Sequence, residues 1–140
     1  MILPFRPPRI EENPVTDLAS LPWPRFCYLE IPATDPRQSA EFYKNVFGWN
    51  IRRGDSDRPS FDDPSSVSGA FVTYLKPAQE PGILPSIWVK DIEAYLARIA
   101  AHGGEIVERP RPDEPGGNCM IATFRDPAGN TLRIYEEPEG

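Results

Sequence analysis

"FCYLEIPATDPRQSAEFYKNVFG" (residues 26–48) holds a strand, a helix start, a helix and a helix stop in one run. Its side chains first alternate. Cys27, Leu29 and Ile31 share one face, and Tyr28, Glu30 and Pro32 share the other, which is the period of a strand. Asp35 then suits an N-cap, Pro36 the first helical position, and Gln38 stands at a capping-box-like distance. Ala40, Phe42, Tyr43, Val46 and Phe47 give the helix its apolar stripe. Gly48 ends it, because a residue past a helix C-terminus often needs a positive φ.

The chain then repeats this pattern. In "LPSIWVKDIEAYLARIAAHGG" (84–104), Pro85, Ile87 and Val89 oppose Leu84, Ser86 and Trp88 along a strand. Asp91 caps a helix with Ile92, Leu96, Ile99 and Ala100 as its stripe, and Gly103 stops it. The first helix is followed by strands at "WNIRR" (49–53), near Phe61, and at "SGAFVTYLKP" (68–77). The second is followed by "EIVER" (105–109), a loop at "PRPDEPGG" (110–117), and strands at "NCMIATFRD" (118–126) and "NTLRIYEEP" (130–138). "DPAGN" (126–130) reads as a tight turn joining the last two. "AFVTYLKP" (70–77) aligns over "TLRIYEEP" (131–138). The expected architecture is α+β: tandem βαβββ modules forming a curved mixed sheet around a cleft. Module one covers 26–77, a linker 78–82, and module two 83–138. The Leu29/Ile31 and Leu132/Ile134 faces should pack on the helices, leaving the more polar faces for the cleft.

Residues 1–25 form a proline-rich arm with Pro4, Pro7, Pro8, Pro14, Pro22 and Pro24. Ile2, Leu3, Phe5, Leu18, Leu21 and Trp23 suggest that it docks on its own domain or on a second subunit. A chain of 140 residues favours one domain, or two halves sharing a core. The net charge of −6, with scattered basic residues, argues against nucleic acid as a partner. No run is apolar enough for a signal peptide or membrane span, so a cytoplasmic, membrane-free protein is expected. Cys27 and Cys119 lack metal-type spacing and read as buried reduced thiols.

"YLEIPATDPRQSAEFYKNVFGW" (28–49), "WVKDIEAYLARIAAHGGEIV" (88–107) and "FRDPAGNTLRIYE" (124–136) together resemble the vicinal oxygen chelate superfamily. That superfamily includes glyoxalases, bleomycin-resistance proteins and extradiol dioxygenases. The resemblance implies the glyoxalase/bleomycin-resistance fold and a homodimer. It also implies four places where metal enzymes of this kind put His and Glu: near the start of each module's first strand and on each module's last strand. Here those places fall on Tyr28, Leu84, Arg133 and, through the internal alignment, Val72. Divalent metals need imidazole, carboxylate or thiolate donors, and an arginine would repel the ion. No metal and no cofactor is therefore expected. His102, the one histidine, reads as a surface residue at a helix end.

Arg133 is the leading candidate for ligand contact. It could pair with a carboxylate, Glu30 being the one expected to face it, or stand in water. It could equally grip an anionic or carbonyl-bearing ligand with its planar fork. Tyr28, Trp88 and Tyr135 offer aromatic surface with polar tips, suited either to sheet packing or to a small-molecule pocket. Glu30, with Tyr28, is the candidate for acid–base chemistry. The expected function is metal-independent binding of a small organic molecule. The alternatives are a superfamily enzyme (lyase, isomerase, hydrolase or dioxygenase-like) acting through Glu30 and Tyr28 or a displaced metal site, and an interaction module with a filled cleft.

Overall fold

Both helices start in the same way. In a computed structural model, which describes residues 22–137, Asp35 and Asp91 each adopt φ −131° and ψ 94°. The Asp35 carboxylate accepts from the Gln38 N–H at 3.3 Å, and the Asp91 carboxylate from the Ala94 N–H at 3.2 Å. Each satisfies a helix N–H that lacks an intrahelical partner. Helix α1 (Pro36–Phe47) follows strand β1 (Tyr28–Pro32), and α2 (Ile92–Ala101) follows β5 (Ser86–Trp88). Gly48 closes α1 at φ 71°. The remaining strands are β2 (Asn50–Arg52), β3 (Ser60–Asp62) and β4 (Ser68–Val72), then β6 (Glu105–Pro112), β7 (Met120–Arg125) and β8 (Thr131–Glu136).

Each module is thus βαβββ, and each forms its own four-stranded mixed sheet. The orders are β1-β4-β3-β2 and β5-β8-β7-β6. The first and last strands of each module pair in parallel, and the other neighbours are antiparallel. Ala33 N–H donates to Val72 O at 2.8 Å, and Val89 N–H to Tyr135 O at 2.9 Å. Ala33 and Val89 both stand two residues before their cap aspartates. Val72 therefore matches Tyr135, and Ala70, not Val72, matches Arg133. The sequence alignment of the two last strands is two residues out of register.

Helix-facing residues of both sheets meet in one core. Ile31, Phe61 and Phe71 pack with Phe42, Tyr43 and Val46; Leu96 and Ile99 pack with Phe124 and Ile134. Phe42 crosses to Phe124 at 6.2 Å between ring centroids, and Phe47 stacks on Tyr95 at 5.7 Å. Fully burying each such side chain stabilises by roughly 1.5–3 kcal/mol. In module one a Cβ on Gly69 would lie 1.9 Å from Leu29 O and 2.5 Å from the Phe61 ring. The missing side chain is what lets Phe61 sit there. In module two the equivalent pair is Leu132 and Phe124, and both side chains are buried.

A buried polar bracket joins the modules. Asp126 accepts from Tyr43 O–H at 2.9 Å, Ala128 N–H at 3.0 Å, and both the backbone and side-chain amides of Asn130 at 2.9 Å. Asn130 also donates to Pro32 O at 2.6 Å, and its Oδ1 accepts from Ala78 N–H at 3.0 Å. Burial pushes the Asp126 carboxyl up despite these donors, and burial with the adjacent Asp126 raises the Tyr43 phenol. The "DPAGN" turn is thus also the joint between module one, the linker and module two.

Several expectations need correction. Strand β6 runs through Pro112, so part of the expected loop is strand; its pairing with β7 is interrupted by register shifts after Ile106 and Glu108. An edge strand tolerates the two prolines because it need donate on one side only. Strand β4 stops at Val72. Leu29 is 38% exposed, because β1 lies at the sheet edge and α1 covers Ile31 instead. Ala100 faces solvent. Cys27 is exposed, in the segment leading into β1, and Cys119 is half-buried just before β7. Most of the arm, residues 1–21, lies outside the described residues; Trp23, within them, is exposed.

Candidate functional site

Strand alternation places every expected site residue on the sheet face opposite its helix. On module one, Tyr28 and Glu30 share that face with Ser68 and Ala70 of β4, Ser60 and Asp62 of β3, and Asn50 and Arg52 of β2. Its charges are matched internally. Glu30 Oε2 accepts from Arg58 at 3.3 Å and from the Tyr74 hydroxyl, and that bond to Glu30 raises the Tyr74 phenol. Asp62 takes a two-pronged contact from Arg52, at 2.9 and 3.1 Å, plus Asn50 at 3.0 Å and Ser68 at 2.7 Å. Burial alone would raise the Asp62 carboxyl; the donors from Arg52, Ser68 and Asn50 outweigh it and hold it below the usual range.

Module two is different. Ser86 and Trp88 of β5 stand beside Arg133 and Tyr135 of β8, which stand beside Thr123 and Ile121 of β7. Trp88 is 70% exposed. Arg133 Nε donates to the buried Thr123 Oγ1 at 3.2 Å, and among the described residues its Nη groups have no partner. The Thr123 hydroxyl in turn donates a hydrogen bond to Glu108 Oε1 at 3.3 Å. Glu108 Oε2 pairs with Arg111 Nε at 3.0 Å. Arg111 chiefly, and Arg133 more weakly, hold the Glu108 carboxyl below its usual range. The neighbouring Cys119 chiefly, with burial, raises the Tyr135 phenol above its ordinary range, and the Tyr135 hydroxyl donates to Glu137 Oε1 at 3.4 Å.

Arg133, Trp88 and Tyr135 therefore come together on one face. Tyr28 and Glu30 stand together on the other. The anticipated Arg133–Glu30 pair is not made: Glu30 is held by Arg58 and Tyr74, and the carboxylate near Arg133 is Glu108. Glu108, Arg111 and Thr123 are absent from the sequence-based set. The signal for Thr123 was available, since it shares the β7 face that alternation assigns to the cleft. Arg111 was hidden by reading its segment as loop.

With the register corrected, the four metal-type positions hold Tyr28, Leu84, Ala70 and Arg133. That set offers no imidazole, carboxylate or thiolate, and so does not fit a divalent ion. Among the described residues no three His, Cys, Asp or Glu side chains gather as a potential ligand set. No described helix is long and apolar enough to cross a membrane.

Residues 28–135 match the profile of the family described as "Glyoxalase-like domain". An anthracycline biosynthesis protein, DnrV, from Streptomyces peucetius is 23% identical over 128 residues. The match covers 79% of this chain and 46% of that protein, so the chain spans about half of that relative's length. Among solved structures, the fosfomycin resistance protein FosX of Listeria monocytogenes, determined with Mn(II) and a dihydroxypropylphosphonic acid, superposes with a TM-score of 0.67. It is 16% identical and is covered over 92% of its length, using 83% of this chain. The antibiotic binding protein TnmS3 from Streptomyces sp. CB03234 gives a TM-score of 0.61 at 20% identity, with 84% of this chain and 99% of that one covered.

Proposed function

The chain belongs to the glyoxalase-like domain family, and from that premise we propose that it binds a small organic anion on module two, without a resident metal. Arg133 carries the reading. Its Nε donates to Thr123, and its Nη groups have no protein partner among the described residues. A guanidinium so held suits a carboxylate or similar oxyanion. Trp88 and Tyr135, paired across β5 and β8, offer aromatic surface for the rest of the ligand. A structural neighbour that is an antibiotic binding protein supports binding as the activity.

Calorimetric titration with phenylacetate and related aromatic carboxylates tests this. Binding should survive dialysis against EDTA and weaken about tenfold or more in Arg133→Ala, because hydrogen bonds to charged groups contribute about 1.5–3 kcal/mol. Equal affinity in Arg133→Ala, or affinity lost to EDTA and restored by Mn²⁺, would overturn the proposal.

A second reading assigns proton transfer to Glu30, assisted by Tyr28 on the same face. It draws on the position of Glu30 Oε2 between Tyr74 and Arg58, which leaves Oε1 as an acceptor. The expected homodimer would use the apolar edge of β1. There an apolar groove of about 230 Å³ is lined by Leu29, Ile31, Pro32, Pro81, Ile83 and Leu132. Light scattering on Leu29→Glu and Ile83→Glu checks this: both should shift the mass toward monomer.

A further inference from the structure

Thr123 does more than orient Arg133. Its single hydroxyl accepts from the Arg133 guanidinium at 3.2 Å and donates to the Glu108 carboxylate at 3.3 Å. Thr123 is itself buried, on the central strand β7 between β6 and β8. A donor edge and an acceptor group are thereby held side by side by one rigid atom. Glu108 keeps one oxygen on Arg111 and the other on Thr123, and it stays 38% exposed, so lone pairs remain open to solvent. Each carboxylate oxygen can accept more than one hydrogen bond.

We propose that Glu108 is a specificity-determining residue, and that the site selects carboxylates bearing a hydrogen-bond donor on the adjacent carbon: 2-hydroxy or 2-amino acids. This rests on the reading of Arg133 as the anion contact. The ligand carboxylate lies along the Arg133 Nη edge, and the neighbouring hydroxyl or ammonium faces Glu108. A ligand with a second negative charge there meets Glu108 as a like charge and is rejected. A ligand lacking the donor leaves the carboxylate without its partner while still using Arg133.

Three probes separate the two claims: phenylacetate, mandelate (the 2-hydroxy analogue) and phenylglycine (the 2-amino analogue). The unmodified protein should bind mandelate and phenylglycine about tenfold or more tighter than phenylacetate. Glu108→Ala should erase that preference, read as the ratio of mandelate and phenylglycine affinities to that of phenylacetate, whereas Arg133→Ala should weaken all three. Glu108→Gln, which keeps the side-chain shape, should remove the preference for the ammonium of phenylglycine and serves if the alanine variant does not fold. No preference in the unmodified protein, one that survives Glu108→Ala, or a phenylglycine preference that survives Glu108→Gln overturns this inference and leaves the Arg133 reading standing. Affinities untouched by Arg133→Ala, or binding of none of the probes, overturn the underlying reading and this inference with it.

Discussion

Module one and module two start from the same plan and finish with opposite open faces. Their cap aspartates share φ and ψ, their first and last strands pair in parallel, and their helices meet in one core. On module one, however, Glu30 and Asp62 are each surrounded by the module's own donors. On module two, Arg133 makes a single side-chain bond among the described residues and stands beside an exposed tryptophan. What the modules share is what the core requires. Where they differ, one face satisfies its own charges, and the other leaves the Arg133 Nη groups without a partner among the described residues.

The comparison breaks most completely where the modules are joined. Asp126→Ala leaves the donors of Tyr43, Ala128 and Asn130 without their acceptor, and should cost about 3–5 kcal/mol, as loss of one partner from a buried charged network does. Urea unfolding measures this, and a single transition in the unmodified protein would show that the modules unfold as one. The pH dependence has a definite sign. Asp126 is raised in the folded state, so its protonated form favours folding. That contribution is complete below the unfolded carboxyl value and is lost as pH rises through the higher folded one. Asp126→Ala should therefore flatten the stability profile on the acid side of neutrality.

Gly69→Ala and Leu132→Ala test the same strand position in the two modules. A Cβ on Gly69 would overlap Leu29 O and the Phe61 ring, and overpacking of this kind costs about 1–3 kcal/mol. Ala at Leu132 should cost about 2–5 kcal/mol, but through a cavity rather than a clash. Thermal unfolding of both variants, with Phe61→Leu added to each, should show partial rescue only for Gly69→Ala.

The open faces are compared by affinity. Arg133→Ala should reduce anion binding about tenfold or more with little change in stability, while Arg58→Ala should change it less than about twofold, because among the described residues the Arg58 side chain bonds only Glu30. The smallest effect is expected from Arg52→Ala. It removes the pair with Asp62, half-exposed on the arginine side, and should cost less than about 1 kcal/mol. Asp62 is held below its usual value, so its contribution is present at neutral pH and lost as pH falls through that lowered value. The Arg52→Ala difference should accordingly be visible in urea midpoints near neutrality and vanish in strong acid.

Much of the fold was legible because its signals are local. Asp35, Pro36 and Gly48 mark one helix, Asp91 and Gly103 the other, and the apolar stripes need only spacing. The tandem α+β arrangement followed from repetition of those signals. What escaped depends on partners distant in the chain. The two last strands alternate so regularly that a slip of two residues keeps every face unchanged, so pattern alone could not separate Val72 from Ala70 as the partner of Arg133. Pro110 and Pro112 disguised the far end of β6 and thereby hid Arg111. Alternation put Glu30 on a face like that of Arg133, but which carboxylate stands beside it is fixed by β6–β7–β8 register, and that selects Glu108. Exposure of Cys27 and Leu29 likewise follows from β1 being an edge, a property of strand order.

The strand order also governs how these sheets meet other chains. Among the described residues four strands, β1, β2, β5 and β6, lie at sheet edges, each with one row of backbone groups not paired there to a neighbouring strand. Strand β1 ends on Pro32, β5 is three residues long and preceded by Pro85, β6 carries Pro110 and Pro112, and β2 is three residues ending in Arg52. Short length, proline and charge are the features that deny an incoming strand a continuous template. The prolines that obscured β6 in the sequence thus serve as gatekeepers against aggregation, and replacing Pro110 and Pro112 with valine should make the protein more prone to fibril formation while leaving the core untouched.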